Sequence, residues 1–151
     1  FCEEHLLLTV PSRLPVNETM KNYSLTASDI LEDRHFNSRI PPVSLEHFQN
    51  ENFLLLKGGN DTRTRADRMF HNTHVLPKIR LELDQQITAY NLSRHGMGIS
   101  FSSDTLIRHV PDSENLVYYK LNHQDASREV NFYYKRGRYM PRVVSTFLEM
   151  I

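Results

Sequence analysis

At 151 residues, with 39% hydrophobic and 24% charged side chains, the chain is long enough for one domain or two small lobes. That balance excludes wholesale disorder. Lys plus Arg equal Asp plus Glu at 18 each, so the formal net charge is zero. This excludes the stretch itself as a binder driven by phosphate neutralisation.

The single cysteine, Cys2, rules out an internal disulfide and points to a reducing, cytoplasmic setting. No apolar run approaches the roughly 20 residues that span a bilayer, and no signal peptide is visible. Strand-like sequence begins almost at once after Phe1, which reads as a piece of a larger protein. The sequons at Asn17, Asn22, Asn60 and Asn91 read as by-products of a chain rich in Asn, Ser and Thr.

His5 to Val10 is a short apolar run ended by Pro11, a strand expected to be buried on both faces. Asn17 to Pro42 is polar and irregular, with at most a short strand at Ser24 to Thr26. It reads as a passage between two lobes. Ser44 to Phe48 suits one helical turn capped by Ser44. Phe53 to Leu56 is a second continuous apolar run. The turn Lys57-Gly58-Gly59-Asn60-Asp61 follows, and a helix is expected from about Thr62 with Asn60 or Asp61 as its cap. Ala66, Met69 and Phe70 give that helix one apolar stripe.

Lys78 to Leu83 alternates, with Ile79, Leu81 and Leu83 on one face. Asp84 is expected to cap a helix to about His95, stopped by Gly96. Ile99 to Phe101 is a short strand. Ser102 or Ser103 then caps a helix through Ile107. Leu116 to Leu121 and Val130 to Lys135 are the last strands, and Gly137 breaks the second. A closing helix starts near Pro141, with Val144, Phe147, Leu148 and Ile151 as its buried stripe. Tyr118-Tyr119 and Tyr133-Tyr134 should divide between a core and a hydrated face. Alternating strands and helices imply an α/β fold with largely parallel pairing.

Four segments resemble the effector-binding domain of LysR-type transcription regulators. Glu4 to Pro15 looks like the family's strand ending in a proline-flanked turn, although Leu14 stands where the family often has His. Phe53 to Thr62 resembles the strand and turn that open a helix of the second lobe. Leu92 to Phe101 is similar to its helix, Gly-x-Gly turn and strand. Lys135 to Ile151 resembles its closing segment.

The resemblance implies a type II periplasmic-binding-protein-like fold of two lobes, with mixed, mainly parallel sheets and one lobe incomplete. Residues 1–16 would then belong to lobe I, 17–43 to a crossing, 44–115 to lobe II, and 116–151 to the return crossing and the rest of lobe I. It implies a small, possibly anionic, effector held between the lobes and a homodimer or homotetramer. DNA would be reached only through a helix-turn-helix outside this chain. The Thr62 to His71 helix is a candidate pairing surface. The rival reading is a solute-binding protein of a transporter.

Turns at the carboxyl ends of parallel strands line such crevices, and helix N-termini favour anions. The first candidate is therefore Lys57, Gly58, Gly59, Asn60 and Thr62. Its bland alternative is a capped strand-to-helix turn. The second is Gly96, Met97 and Gly98, which would otherwise be a helix stop. The third is Arg13, placed near the lobe junction by the resemblance and able to pair with a carboxylate.

No Gly-x-Ser-x-Gly elbow, P-loop or complete dinucleotide fingerprint occurs, so neither an enzyme nor a cofactor is expected. His71-x-x-His74 has metal-like spacing but lacks an evident third ligand, so no metal is expected. The adjacent acids Glu3-Glu4 and Glu32-Asp33 read as solvated surface.

Overall fold

The computed structural model describes residues 2–111, 114–131, 133, 137 and 139–150. Strand β1 (Cys2–Pro11) leads into a short helix α1 (Val16–Thr19), β2 (Ser24–Leu25) and α2 (Ala27–Leu31). A 3-10 turn over Leu45–Phe48 precedes β3 (Asn52–Leu56). Helix α3 (Asp61–Asn72), β4 (Lys78–Leu83), α4 (Gln86–Arg94), β5 (Ile99–Ser103) and α5 (Asp104–His109) follow. The chain continues through β6 (Leu116–Lys120), β7 (Ser127–Val130) and α6 (Arg142–Met150).

Local chemistry sets these ends. Asn60 accepts from the Thr62 amide at 2.9 Å and caps α3. Ser103 accepts from Leu106 and caps α5. Ser44 accepts from Glu46 to start its 3-10 turn. Thr26 and Asp29 form a reciprocal capping box on α2. Asp84 does not cap α4 as expected. The cap position is Gln85, without a side-chain bond, and Asp84 instead pairs with Lys57 Nζ at 2.9 Å.

The strands form one mixed sheet in the order β2-β6-β1-β5-β3-β4, with β7 also on β1. Pairing is less parallel than expected. Among the described strands, β3–β4 and β3–β5 pair parallel, as does the isolated bridge Val43–Leu121, whereas β1 is antiparallel to β5, β6 and β7, and β2 to β6. The reason is connectivity. Parallel neighbours need a crossover, and α3 and α4 supply crossovers only along β3, β4 and β5.

Strands from all four expected ranges, 1–16, 17–43, 44–115 and 116–151, share this sheet. Part of residues 17–43 packs into the core. Leu25, Ala27 and Ile30 are buried against Leu7, Tyr90, Ile107, Leu116 and Tyr118. The chain departs from the sheet elsewhere. Cys2 to His5 pair with Ser127 to Val130, while Leu6 onward pairs with β5 and Leu7 onward with β6. The first four residues of β1 and β7 thus form a two-stranded ribbon leaving the sheet.

Period-two alternation divides the core between two faces. Leu6, Leu8, Phe53, Leu55, Ile99 and Phe101 pack with Ala66, Met69 and Phe70 of α3. On the other face, Leu7 and Tyr118 meet α2, α4 and α5, and Leu54 and Leu56 meet Ala89 of α4. Because both faces are covered, Tyr118 and Tyr119 are both fully buried rather than divided. Tyr133 is exposed, and Tyr134 lies outside the described residues. So do Phe132 and Lys135 of the strand expected at Val130 to Lys135. Strand β7 ends at Val130, where that stretch begins, and Asn131 and Tyr133 lie outside any strand.

Helix α6 forms where expected, but its stripe is not buried: Val144 and Phe147 are exposed, Leu148 is half-buried, and Ile151 is outside the described residues. Periodicity states what a helix can bury, not what lies against it.

Candidate ligand site

The carboxyl ends of β3, β4 and β5 lie together at one pole of the sheet, each continuing into a helix start. That is where an open α/β sheet collects ligand-binding turns. At β3 the chain turns through Lys57 to Asn60. Gly59 adopts φ +90°, which glycine accepts without strain. No heavy atom stands within 4 Å of a side chain built at Gly58 or Gly59, so that backbone is open to approach.

Thr62, Gln86 and Ser103 link the three helix starts. Gln86 Nε2 reaches Thr62 Oγ1 at 3.5 Å, and Ser103 Oγ donates to Gln86 Oε1 at 3.3 Å. Gln86 and Ser103 were not among the candidates from sequence. Applying the strand-end rule to Leu83 and Phe101, as to Leu56, is the signal that finds them. The enclosed cavity beside Thr62 and Ala66 holds about 10 Å³, room for one water at most. Nothing larger than a water fits inside it.

The ribbon borders the same pole with paired charges. Arg128 on β7 donates to Glu4 at 2.8 Å and also to Asp61 at the start of α3. These bonds, Glu4 first, hold its guanidinium above the usual arginine range. Glu4, read from sequence as solvated, is thus half-buried in an ion pair. Arg65 on α3 is buried, and burial first, then the Arg128 charge, lowers its pKa. Nearby, burial by itself would raise the Asp104 carboxyl. Bonds from His35, His5 and Thr105 outweigh it and hold the group well below the ordinary carboxylate range.

Arg13, Gly96, Met97 and Gly98 do not join this site. Gly98 precedes β5 and packs against the start of β3, where an added Cβ would meet the Asn52 carbonyl oxygen at 2.8 Å. They lie a strand's length away, roughly 15 Å for five residues. Gly96 and Met97 complete a helix stop. The Gly96 amide donates to the Ser93 carbonyl at 2.7 Å and the Met97 amide to the Leu92 carbonyl at 3.0 Å. Met97 packs beside Leu92 on the Leu54–Leu56 cluster. Arg13 donates to the Gly96 carbonyl at 2.8 Å, so its guanidinium braces that stop. The bland reading of the Gly-Met-Gly turn accounts for its geometry.

His71 and His74 are exposed and do not converge on a third ligand. Among the described residues, the group with metal-binding geometry is His5, His35 and Asp104.

The family model "LysR substrate binding domain" matches residues 30–151. The chain belongs to that family. It is 25% identical over 109 residues to the Bacillus subtilis uncharacterized HTH-type transcriptional regulator YybE, covering 72% of this chain and 36% of that protein. It is similar to the Synechocystis PCC6803 CcmR regulatory domain, solved in complex with 2-PG, at 19% identity and TM-score 0.67, over 99% of this chain and 62% of that one. It is also similar to the effector-binding domain of QuiR in complex with shikimate, at 13% identity and TM-score 0.61, over 97% and 59%. The chain thus spans about a third of the curated relative and about three-fifths of those solved domains. The fold is that of type II periplasmic binding proteins, α/β with a mixed sheet. Among the described residues no helix is long and apolar enough to cross a membrane.

Proposed function

We propose that this chain is the effector-sensing part of a LysR-type transcription regulator, working by binding rather than catalysis. The observation that carries the reading is the convergence of three strand ends on one polar mouth bordered by a two-stranded ribbon. A small polar or anionic metabolite would rest on the Lys57–Thr62 turn, Gln86 and Ser103. Its signal would pass through the ribbon to a helix-turn-helix beyond this chain. A ligand moves such an equilibrium only by its affinity difference between states. The candidate contacts are Lys57, Gly58, Gly59, Asn60 and Thr62, joined by Gln86 and Ser103. Arg13 and Gly96 to Gly98 serve the opposite pole.

A thermal-shift screen of small carboxylates and phosphorylated acids on the purified regulator tests this. The compound that raises Tm should lose most of its shift in the Thr62→Val/Gln86→Leu variant, whose own Tm stays near wild type. An undiminished shift in that variant would falsify the proposed mouth.

The proposal includes self-association, through the β4 edge rather than α3. The outward side of α3 carries Thr64, Asp67, Arg68 and His71. Among the described strands β4 pairs with β3 alone, and Leu76, Ile79, Leu81 and Ile87 stand exposed on or beside it. An unprotected apolar edge invites a second copy. Sedimentation equilibrium should show a dimer that Leu81→Glu weakens at least about tenfold, the equivalent of roughly 1.4 kcal/mol. Identical association of both proteins would rule the edge out.

A further inference from the structure

We propose that His5, His35 and Asp104 form a binding site for a divalent transition metal, zinc by preference, at the root of the ribbon. The inference does not depend on the effector reading. The three residues come from separate segments. His5 lies on β1 where that strand exchanges β7 for β5 and β6 as partners. Asp104 opens α5, and His35 sits in the 3-10 turn Arg34–Phe36.

Their geometry is compatible with coordination of a shared ion. His35 Nε2 lies 3.2 Å from Asp104 Oδ2, and His5 Nδ1 lies 3.6 Å from that same oxygen. One ligand atom from each residue falls within 4.8 Å of the others. A tetrahedral ion with bonds near 2.0–2.1 Å holds its ligand atoms about 3.3 Å apart. Two imidazoles and one carboxylate suit zinc and its first-row neighbours.

A purely structural hydrogen-bond network leaves one inward-facing ring nitrogen unaccounted for. His5 Nδ1, the ring nitrogen that faces Asp104, is buried without a hydrogen-bond partner. Buried polar atoms ordinarily find one. At His5 the deficit lies toward the Asp104 oxygen, so a shared cation satisfies it. The His35 side chain is 1% exposed and that of Asp104 5%. The Phe36 ring packs 4.9 Å from His5 and 4.0 Å from His35, walling the cluster with apolar surface.

The surroundings supply the expected support. Glu3 Oε1 lies 3.4 Å from His5 Nε2, the carboxylate–histidine arrangement that orients a metal-bound imidazole. The Asp104 carboxylate accepts from the His5 amide at 3.1 Å and the Thr105 amide at 2.8 Å, which fixes its other oxygen. His5 is the partly exposed member, at 24% of its side chain. An ion here would tie β1, α5 and the Arg34–Phe36 turn together where the ribbon leaves the sheet.

The test uses the purified protein, stripped with chelator and titrated with ZnCl2. Expected are one zinc per chain by elemental analysis and a Tm rise of roughly 5–10 °C at about 100 times Kd. Slower exchange of the His5 amide should accompany binding. His5→Gln keeps the backbone bond to Asp104 and should fold with an unchanged far-UV spectrum. Its zinc affinity should fall more than about tenfold, whereas His71→Ala should bind as wild type. Failure of the wild-type protein to bind zinc overturns the proposal. So does equal affinity in His5→Gln, or loss of binding in His71→Ala alone.

Discussion

Arg65→Ala is expected to destabilise the fold by about 3–5 kcal/mol, the range for breaking a buried charged group away from its partners. Arg65 is 4% exposed. Its Nε donates to the Asp125 carbonyl at 2.7 Å and its Nη2 to the Ala126 carbonyl at 3.0 Å. Those carbonyls belong to the 3-10 turn Gln124–Ala126 that directs the chain into β7. Without the guanidinium both lose their partner, and Ala126 is itself buried. Glu4 and Asp61 keep Arg128, so the main loss is to the turn. Arg65→Lys should recover only part of the stability, because one ammonium lacks the planar fork that reaches both oxygens. Urea unfolding measures the effect, and hydrogen exchange should show the Ser127 to Val130 amides opening first. A change within about 0.5 kcal/mol for Arg65→Ala would mean the turn holds itself.

Phe70→Ala should cost a similar amount, about 3–5 kcal/mol, for a different reason. Phe70 meets Phe53 edge-on at 5.0 Å and Phe101 edge-on at 5.7 Å, anchoring α3 on the sheet. Truncation removes apolar burial and leaves a cavity that surrounding β3 and β5 cannot readily close. Phe70→Leu refills most of the volume and should cost less than half as much. Since α3 carries the Asn60 cap and Thr62, Phe70→Ala should also weaken effector binding at a temperature where the protein remains folded. Matched denaturation midpoints for Phe70→Ala and Phe70→Leu would refute the packing account.

Much of the molecule is legible in its residues. The caps at Asn60, Ser44 and Ser103, the helix stop at Gly96 and the alternation of Leu6, Leu7 and Leu8 between two faces all depend on neighbours within a few positions. The same local patterns, in order, carry the family resemblance that the match over residues 30–151 bears out. Local rules mislead where two donors compete for one acceptor. Local spacing makes Asp84 a helix cap, but Lys57 across the turn claims its carboxylate.

By itself the sequence determined most of the strands and helices outside residues 17–43, where most of them begin, and to which family they belong, because hydrogen bonds and periodicity within a turn or two decide those things; helices α1 and α2 and the placement of β7 were not among them. Only the tertiary structure decided that β1 runs antiparallel to its neighbours, and that the Lys57 and Gly96 turns stand at opposite poles. It alone brings His5, His35 and Asp104, as many as 99 positions apart, into one cluster. Strand direction and the meeting of distant side chains are set by long-range packing, which no short window of residues encodes.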